Sequence, residues 1–508
     1  MSEEHKNLKD KLIPVLLSIL SSIIILLGAA IIYLYSSGYR IDIFKREISL
    51  TGVITVQSEP AAADMYIGED NVGRTPRSHV LRVGEYDILL KKDAYRNWSK
   101  KVTVVEGKST PISPFLIYDT IASKEKWKSE GLIEKIWINE TRNNILFLQK
   151  DSNSSYSLWE YTINMPIWDF STNPLKILSL ESNKIAISIS PNGQRAILTS
   201  TDTETTSFYL LNTQQLNTLG SSNQLPFGNY SKYAMSWSKN NRYIMFDSSK
   251  ELLSYDIEKR TFTTLLKKDV STKYVWDTDT EGSLYIITEI VNDELENIYT
   301  YSLVQKSLAG NNTKTIIEKI YLQESEEYIK KYRETITDWQ EFSNSPESTQ
   351  STGEIKDLDV NVNAKGMYIS TSLASYWYFI DTSKFLMISP YPTELLYYSL
   401  DSFQLGFKDF NGYQIFTFDK EDEDHTVKIG SKSINSVKSN FFWLSDSAYI
   451  YFKEDNSIYI ADKDGDNKYP LAESANILDY VINSAREILY TFEKDSNGKL
   501  TIVENKFH

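Results

Sequence analysis

The chain has 508 residues, with 54 Lys and Arg against 68 Asp and Glu for a formal net charge of −14, and no cysteine. The acidic balance argues against a phosphate-backbone partner and so excludes nucleic acid as a ligand class. The absence of cysteine excludes disulfides, thiolate metal sites and a cysteine nucleophile.

The first element is an uncharged apolar run, Leu12 to Tyr35. Roughly 23 residues at ~1.5 Å rise span the ~30 Å hydrocarbon core of a bilayer, which predicts a transmembrane helix over 12–35. A cleavable signal has a shorter apolar region followed by a small-residue cleavage site. Here the small cluster Gly28-Ala29-Ala30 lies inside the run, so a retained anchor is expected. Lys6, Lys9 and Lys11 before the span are balanced by Arg40, Lys45 and Arg46 after it, and charge does not set the orientation. Long domains translocate largely regardless of charge, so residues 1–11 are the expected cytoplasmic end and the remainder is expected to be extracytoplasmic. About 470 residues beyond the span exceed what one core usually fills, so more than one domain is expected.

Residues 36–51 read as a linker, and 52–106 as short strands punctuated by turn formers. Gly52 to Val56 alternates with period two and ends at Ser58-Glu59-Pro60. Ala63 to Ile67 turns at Gly68-Glu69-Asp70-Asn71 towards Val72-Gly73, and Thr75-Pro76 closes that hairpin. Tyr86 to Leu90 and Trp98 to Val105 follow. This small β-sandwich resembles the PEGA domain, on Ser58, Pro60, Ala63, Tyr66, Gly68, Gly73, Thr75-Pro76, Gly84, Tyr86 and Tyr95. Ala61 and Ala62 depart from the name-giving glutamate and glycine, and Asp93-Ala94 replaces the usual glycine before Tyr95. The resemblance implies an envelope-facing structural or adhesive module.

From residue 112 to 508 the chain falls into units of about 40 residues, the period of a propeller or array. The clearest units start at Ile185 and Tyr233. In both, an inner strand ends at serine, a turn follows (Pro191-Asn192-Gly193; Lys239-Asn240-Asn241), and Arg195 or Arg242 leads an apolar strand. Further units start near 133, 273, 355, 397, 437 and 477, which makes eight blades, with seven as the alternative. The last unit shows three strands, and Ile112 to Ile121 is expected to supply its missing outer strand and close the ring. The units resemble TolB-like or PD40 propeller repeats, on Ser190-Pro191-Asn192-Gly193 and on Ile458 to Gly465, which implies a rigid interaction platform. Residues 318–353 interrupt the rhythm. Tyr321, Tyr328, Tyr332, Ile336 and Trp339 share a helical stripe and a polar linker follows, so an inter-blade insertion or a partner-docking helix is expected.

Signals for chemistry are sparse. His5 precedes the span, His508 is the last residue, and His79 and His425 have no spaced partner. Gly107-Lys108-Ser109-Thr110 lacks the first glycine of a phosphate loop and opens no helix. Asp462, Asp464 and Asp466 resemble a calcium loop, but Gly465 precedes the third acid and the closing glutamate is missing, so a hairpin turn is expected. Glu421-Asp422-Glu423-Asp424 reads as a solvated tip. Aromatic runs such as Tyr376-Trp377-Tyr378-Phe379 read as packing rather than a sugar platform. No catalytic, cofactor or metal residue is assigned, and no cofactor is expected. The expected protein is a non-enzymatic, single-pass, extracytoplasmic scaffold that binds an envelope protein or glycan. The alternative is an envelope glycan hydrolase or lyase whose paired carboxylates come from different blades.

Overall fold

A computed structural model describes residues 18–29, 32–33, 39–42, 47–138, 144–152, 155–163, 173–181, 184–201, 205–213, 223–269, 272–293, 298–310, 312–320, 341–343, 354–363, 365–417, 430–434, 436–445, 447–483, 485 and 487–508. Residues 18–29 are helical. Among the described residues, no helix is long and apolar enough to cross a membrane. Residues 12–17, 30–31 and 34–35 of the expected span lie outside them, as do 321–340 and 344–353 of the expected insertion. The first residues of that insertion instead end a strand, Thr313–Ile320.

The chain divides into two compact units, 1–121 with 507–508, and 122–506. The small unit contains two four-stranded sheets. In one, Glu47–Val56 is flanked by Tyr39–Asp42 and Arg77–Arg82, with Ser109–Ile112 parallel to Val53–Val56. The stretch 36–51, expected as a linker, therefore contributes two antiparallel paired strand segments, Tyr39–Asp42 and 47–50. The second sheet runs Asp70–Arg74, Asp64–Ile67, Gly84–Lys91, Trp98–Val104. Alternate residues of both sheets face one core of Ile54, Val56, Met65, Ile88, Leu90, Trp98 and Val104. Gly52 is required there by close approach, because a Cβ would lie 2.3 Å from the Val105 carbonyl.

The large unit holds eight sheets among the described residues. Blade 1 comprises Leu132–Ile138, Asn144–Lys150, Ser155–Thr162 and Leu175–Glu181. Blade 2 comprises Lys184–Ile189, Arg195–Thr201, Thr206–Asn212 and Gln224–Leu225. Blade 3 comprises Ala234–Trp237, Tyr243–Asp247, Glu251–Asp256 and Thr261–Lys267. Blade 4 comprises Tyr274–Thr278, Ser283–Asp293, Ile298–Ser307 and Thr313–Ile320. Blade 5 comprises Ile355–Asn361, Gly366–Thr371, Ser375–Phe379 and Lys384–Ser389, with Glu341–Ser343 as a fifth strand. Blade 6 comprises Glu394–Tyr398, Gln404–Asp409, Gly412–Thr417 and Gly430–Ser433. Blade 7 comprises Phe441–Trp443, Tyr449–Glu454, Ser457–Asp462 and Tyr469–Glu473. Blade 8 comprises Ile477–Ile482, Ile488–Lys494, Leu500–Lys506 and Ala122–Lys128.

The outer strand of blade 8 comes from the start of this unit, but from Ala122–Lys128 and not from 112–121 as expected. The physical reason is that Phe115, Leu116 and Ile117 are already buried in the small unit, where Leu116 joins the core and Ile117 O accepts from Arg96 N.

Successive blades bury their faces against each other around the whole circuit. Phe492 and Ile502 of blade 8 pack on Ile145 and Phe147 of blade 1, and Leu146 and Leu158 on Ala196 and Leu198 of blade 2. Phe208 and Leu225 meet Phe246 and Tyr255 of blade 3, and Met245 and Leu252 meet Leu284 and Ile286 of blade 4. Leu303 packs on Met367 and Ile369 of blade 5, Trp377 on Leu405 and Phe407 of blade 6, and Ile415 on Phe441 and Ile450 of blade 7. Phe442 and Tyr451 each lie 5.9 Å from the Tyr480 ring of blade 8. This is a closed eight-bladed propeller, and each fully buried side chain of that size contributes about 1.5–3 kcal/mol.

Candidate functional site

The inner strands end in a recurring turn whose chemistry explains the serine seen in the sequence. Ser190, Ser238 and Ser399 each place Oγ where it accepts the backbone N–H five residues on, from Arg195, Tyr243 and Gln404 at 3.0, 3.0 and 2.9 Å. Asp279 and Asn483 make a similar bond with a carboxylate or amide oxygen, taking Ser283 N four residues on at 2.7 Å and Ile488 N five residues on at 3.0 Å. Neighbouring turns are tied together: Asn192 N donates to Asn241 Oδ1 at 2.8 Å, and Lys239 N to Thr278 Oγ1 at 3.0 Å. Inner-strand tryptophans add further ties, with Trp237 Nε1 donating to Ser188 O at 3.1 Å and Trp443 Nε1 to Tyr397 O at 3.0 Å. The turn face is therefore held in one arrangement by backbone-directed bonds.

Four blades converge on a charged cluster at this face. Lys239, in the blade 3 turn, places Nζ 2.5 Å from Asp277 Oδ2 of blade 4 and 3.0 Å from both Asp359 Oδ2 and Val360 O of blade 5. Asp277 Oδ2 also accepts Val360 N at 2.7 Å. All three Lys239 protons thus have acceptors, and its pKa is raised above the usual lysine value by Asp277 and Asp359 against the opposing effect of burial. Burial pushes the Asp277 carboxyl up to about 6, with Lys239 pulling it down and Asp359 pushing it further up. Asp357, two residues before Asp359 on the same strand, is raised by burial and by the Asp359 charge. Tyr398 of blade 6 faces Asp359, and its pKa is raised well above the ordinary value, by burial first and then by that charge. Neither Tyr398 Oη nor Asp359 Oδ1 completes a hydrogen bond by distance and angle.

Beside the cluster lies a cavity of about 670 Å³, lined on its polar side by Lys239, Asp359, Asn361 and Asn363, and on its apolar side by Leu395, Leu396, Tyr397 and Leu400.

The residues weighed in the sequence lie elsewhere. His79 sits in Arg77–Arg82 opposite Ile54, and the His508 ring stacks 4.3 Å from Phe115 while its Nδ1 lies 2.9 Å from Leu116 O. Lys108 and Ser109 lead into the short parallel strand Ser109–Ile112 with no helix. Asp462 caps its own hairpin, with its carbonyl accepting Gly465 N and Oδ2 accepting Asn467 Nδ2 at 3.1 Å. Tyr376, Trp377 and Tyr378 are fully buried in blade 5. His5, Glu421–Asp424 and His425 lie outside the described residues. Among the described residues, no group of three or more His, Cys, Asp or Glu side chains could hold a metal ion.

In the small unit, the turn residues that carry the sequence resemblance have a packing role. Ser58 Oγ and Thr75 Oγ1 lie 2.5 Å apart, both buried, and Thr75 Oγ1 also accepts Ala63 N at 3.0 Å. Gly73 has φ of 119°, a conformation that favours glycine, and the Tyr95 ring packs 4.7 Å from Tyr118. Residues 51–115 match the PEGA domain family. The PEGA domain and the propeller after it are the two recognisable parts of the chain. No curated protein matches it significantly. Solved structures similar to it include an oligogalacturonate lyase in complex with manganese, at 8% identity and TM-score 0.36, covering 74% of this chain and 98% of that one. Dipeptidyl peptidase 4 of Porphyromonas gingivalis is similar at 10% identity and TM-score 0.44, over 76% of this chain and 60% of that one. The propeller domain of the Trilobed protease from Pyrococcus furiosus, described as having an open velcro topology, is similar at 10% identity and TM-score 0.34, over 75% and 94%.

Proposed function

We propose that this chain is a single-pass, extracytoplasmic binding or scaffold protein, whose propeller presents a rigid face to a protein or glycan partner at the cell envelope. The apolar run Leu12 to Tyr35 supports the anchor, as does the exposure of Ile19, Leu20, Ile23, Ile24, Ile25, Leu26 and Leu27 around the helix, which needs a lipid-like covering. A PEGA domain directly after that run suits an envelope location.

The observation that carries binding over cleavage is the position of Lys239 Nζ between Asp277 and Asp359. A retaining glycosidase holds its carboxyl groups about 5–5.5 Å apart with the scissile bond between them. Here the gap is filled by an ammonium group bonded to both carboxylates, and a glycosidic oxygen has no room there. Proximity labelling from the C-terminus of the full chain in intact cells tests the reading. Labelled envelope proteins or glycans are expected, with the chain retained in the membrane fraction; labelling confined to cytoplasmic proteins would overturn it.

A further inference from the structure

We propose that the cavity between blades 5 and 6 receives a lysine or arginine side chain from a polypeptide partner. This rests on the binding reading above and names the class of partner. Three features of the cavity define the occupant.

First, the charged cluster beside it is net negative. Lys239 offsets only one of the three carboxylates Asp277, Asp357 and Asp359, and of these Asp359 reaches the cavity lining together with Lys239. The Asp359 side chain is 24% exposed and keeps acceptor capacity on Oδ2 beyond the bond to Lys239. Because the three Lys239 protons already point at Asp277, Asp359 and Val360, the lysine presents no free donor to an incoming anion or acceptor. A cation-bearing donor is the complementary group.

Second, the wall opposite is apolar and stands open. Leu400 is 68% exposed and Tyr397 43% exposed at the mouth, with Leu395 and Leu396 behind them. The aliphatic stem of a lysine or arginine covers such a wall while its head reaches a carboxylate, a combination that neither a small cation nor an acidic ligand supplies. Third, Asn363 lines the rim, where its amide can bond the backbone of an extended peptide. A volume of about 670 Å³ accommodates such a side chain with part of its flanking backbone. The turn face is already held by inter-blade bonds, so the site is preformed and binding orders little of the receptor.

The test uses the full chain in detergent micelles and three probes: a fluorescent Gly-Ser-Arg-Ser-Gly peptide, the same peptide with Gln in place of Arg, and a neutral chitotetraose. Fluorescence anisotropy is expected to show saturable binding of the Arg peptide that weakens with salt, at least tenfold weaker binding of the Gln peptide, and no saturation by the sugar. Asp359→Asn is expected to weaken the Arg peptide at least tenfold. Leu400→Lys, at an exposed turn position where folding is not at stake, is expected to do the same through charge at the mouth. Glu85→Gln in the small unit removes an equal charge far from the cavity in sequence and is expected to leave affinity unchanged. Equal binding of Arg and Gln peptides, an effect of Glu85→Gln matching that of Asp359→Asn, or sugar binding lost in Asp359→Asn would each overturn the proposal. Envelope labelling by the wild-type chain would stand regardless, so the two readings fail separately.

Discussion

Lys239→Met removes the only cation between two carboxylates and leaves a side chain of similar length. The two Asp oxygens that share Nζ, at 2.5 and 3.0 Å, can be no farther apart than about 5.5 Å. At an effective dielectric of about 20, two unit charges about 5 Å apart repel by about 3 kcal/mol. Breaking a buried ion pair by deleting one partner typically costs about 3–5 kcal/mol; the Asp277 and Asp359 side chains are 18% and 24% exposed, which places the expected loss at the low end, about 3 kcal/mol. A propeller of eight blades is a poor candidate for a single global unfolding step, so local amide exchange is the sensitive assay. A loss of about 3 kcal/mol corresponds to exchange about a hundredfold faster at Tyr274–Thr278 and Ile355–Asn361, with the inner strands of blades 1 and 2 little changed.

The pH dependence follows from the direction of the shifts. Asp277 is already raised to about 6 in the folded chain, and without Lys239, which pulls it down, it is raised further. A folded state that binds protons more readily than the unfolded state gains stability as pH falls towards the unfolded carboxyl value. The deficit of Lys239→Met is therefore largest above pH 7 and shrinks by pH 5. Adding Asp277→Asn to Lys239→Met removes the repulsion and recovers most of the loss. Unchanged exchange in the single variant, or a deficit that grows in acid, would refute the reasoning.

Other expectations are direct. Asp277→Asn alone gives a chain whose protection at these strands, exchange taken relative to the intrinsic rate at each pH, no longer rises as pH falls from 7 to 5, whereas the wild type gains protection over that window as Asp277 takes up its proton; protection factors at a series of pH values compare the two. Ile502→Ala, which empties a fully buried position where blade 8 meets blade 1, is expected to cost about 2–5 kcal/mol and to speed exchange in Ala122–Lys128 together with Leu500–Lys506; an effect limited to residue 502 would show that the two ends of the unit do not close as one sheet. Gly366→Ala puts a Cβ 2.3 Å from the Trp377 ring and is expected to lower stability by about 1–3 kcal/mol, with a shift in tryptophan emission as the ring is displaced. Deleting residues 1–38 is expected to move the chain from the membrane fraction to the soluble fraction on cell fractionation, leaving the circular dichroism of the strands intact.

The blades were legible because five of them repeat the same local solution: an inner strand followed by Ser, Asp or Asn, a turn bonded back to that side chain, and an apolar second strand. Ser190, Ser238 and Ser399 show it in the sequence, and the same bond through Asp279 or Asn483 shows why the pattern blurs elsewhere. The charged cluster was not legible, because its members come from four different blades. Lys239 reads as an ordinary turn lysine, Asp277 as a strand end, and Tyr398 as one more aromatic; about 120 residues of chain separate Lys239 from the Asp359 it bonds. The one local hint is the alternation Asp357, Asp359, Asn361, which puts polar groups on one side of a strand that must lie next to the channel.

The closing strand shows how the same physics led to a misplaced expectation. Ile112 to Ile121 is apolar and strand-like, and those qualities suit a strand covered on both faces. An outermost blade strand has one edge open to solvent, so a polar segment with few anchoring side chains suits it. Ala122–Lys128 has that composition: most of its residues are exposed, Trp127 packs 5.4 Å from Phe147 of blade 1, and Lys126 pairs with Glu504 at 3.1 Å. Lysines on such an edge also discourage pairing with another chain. Ring closure in a propeller is thus better sought in a charged segment with one aromatic residue than in the most hydrophobic segment near the unit's start, because the hydrophobic segment is the one another core will claim.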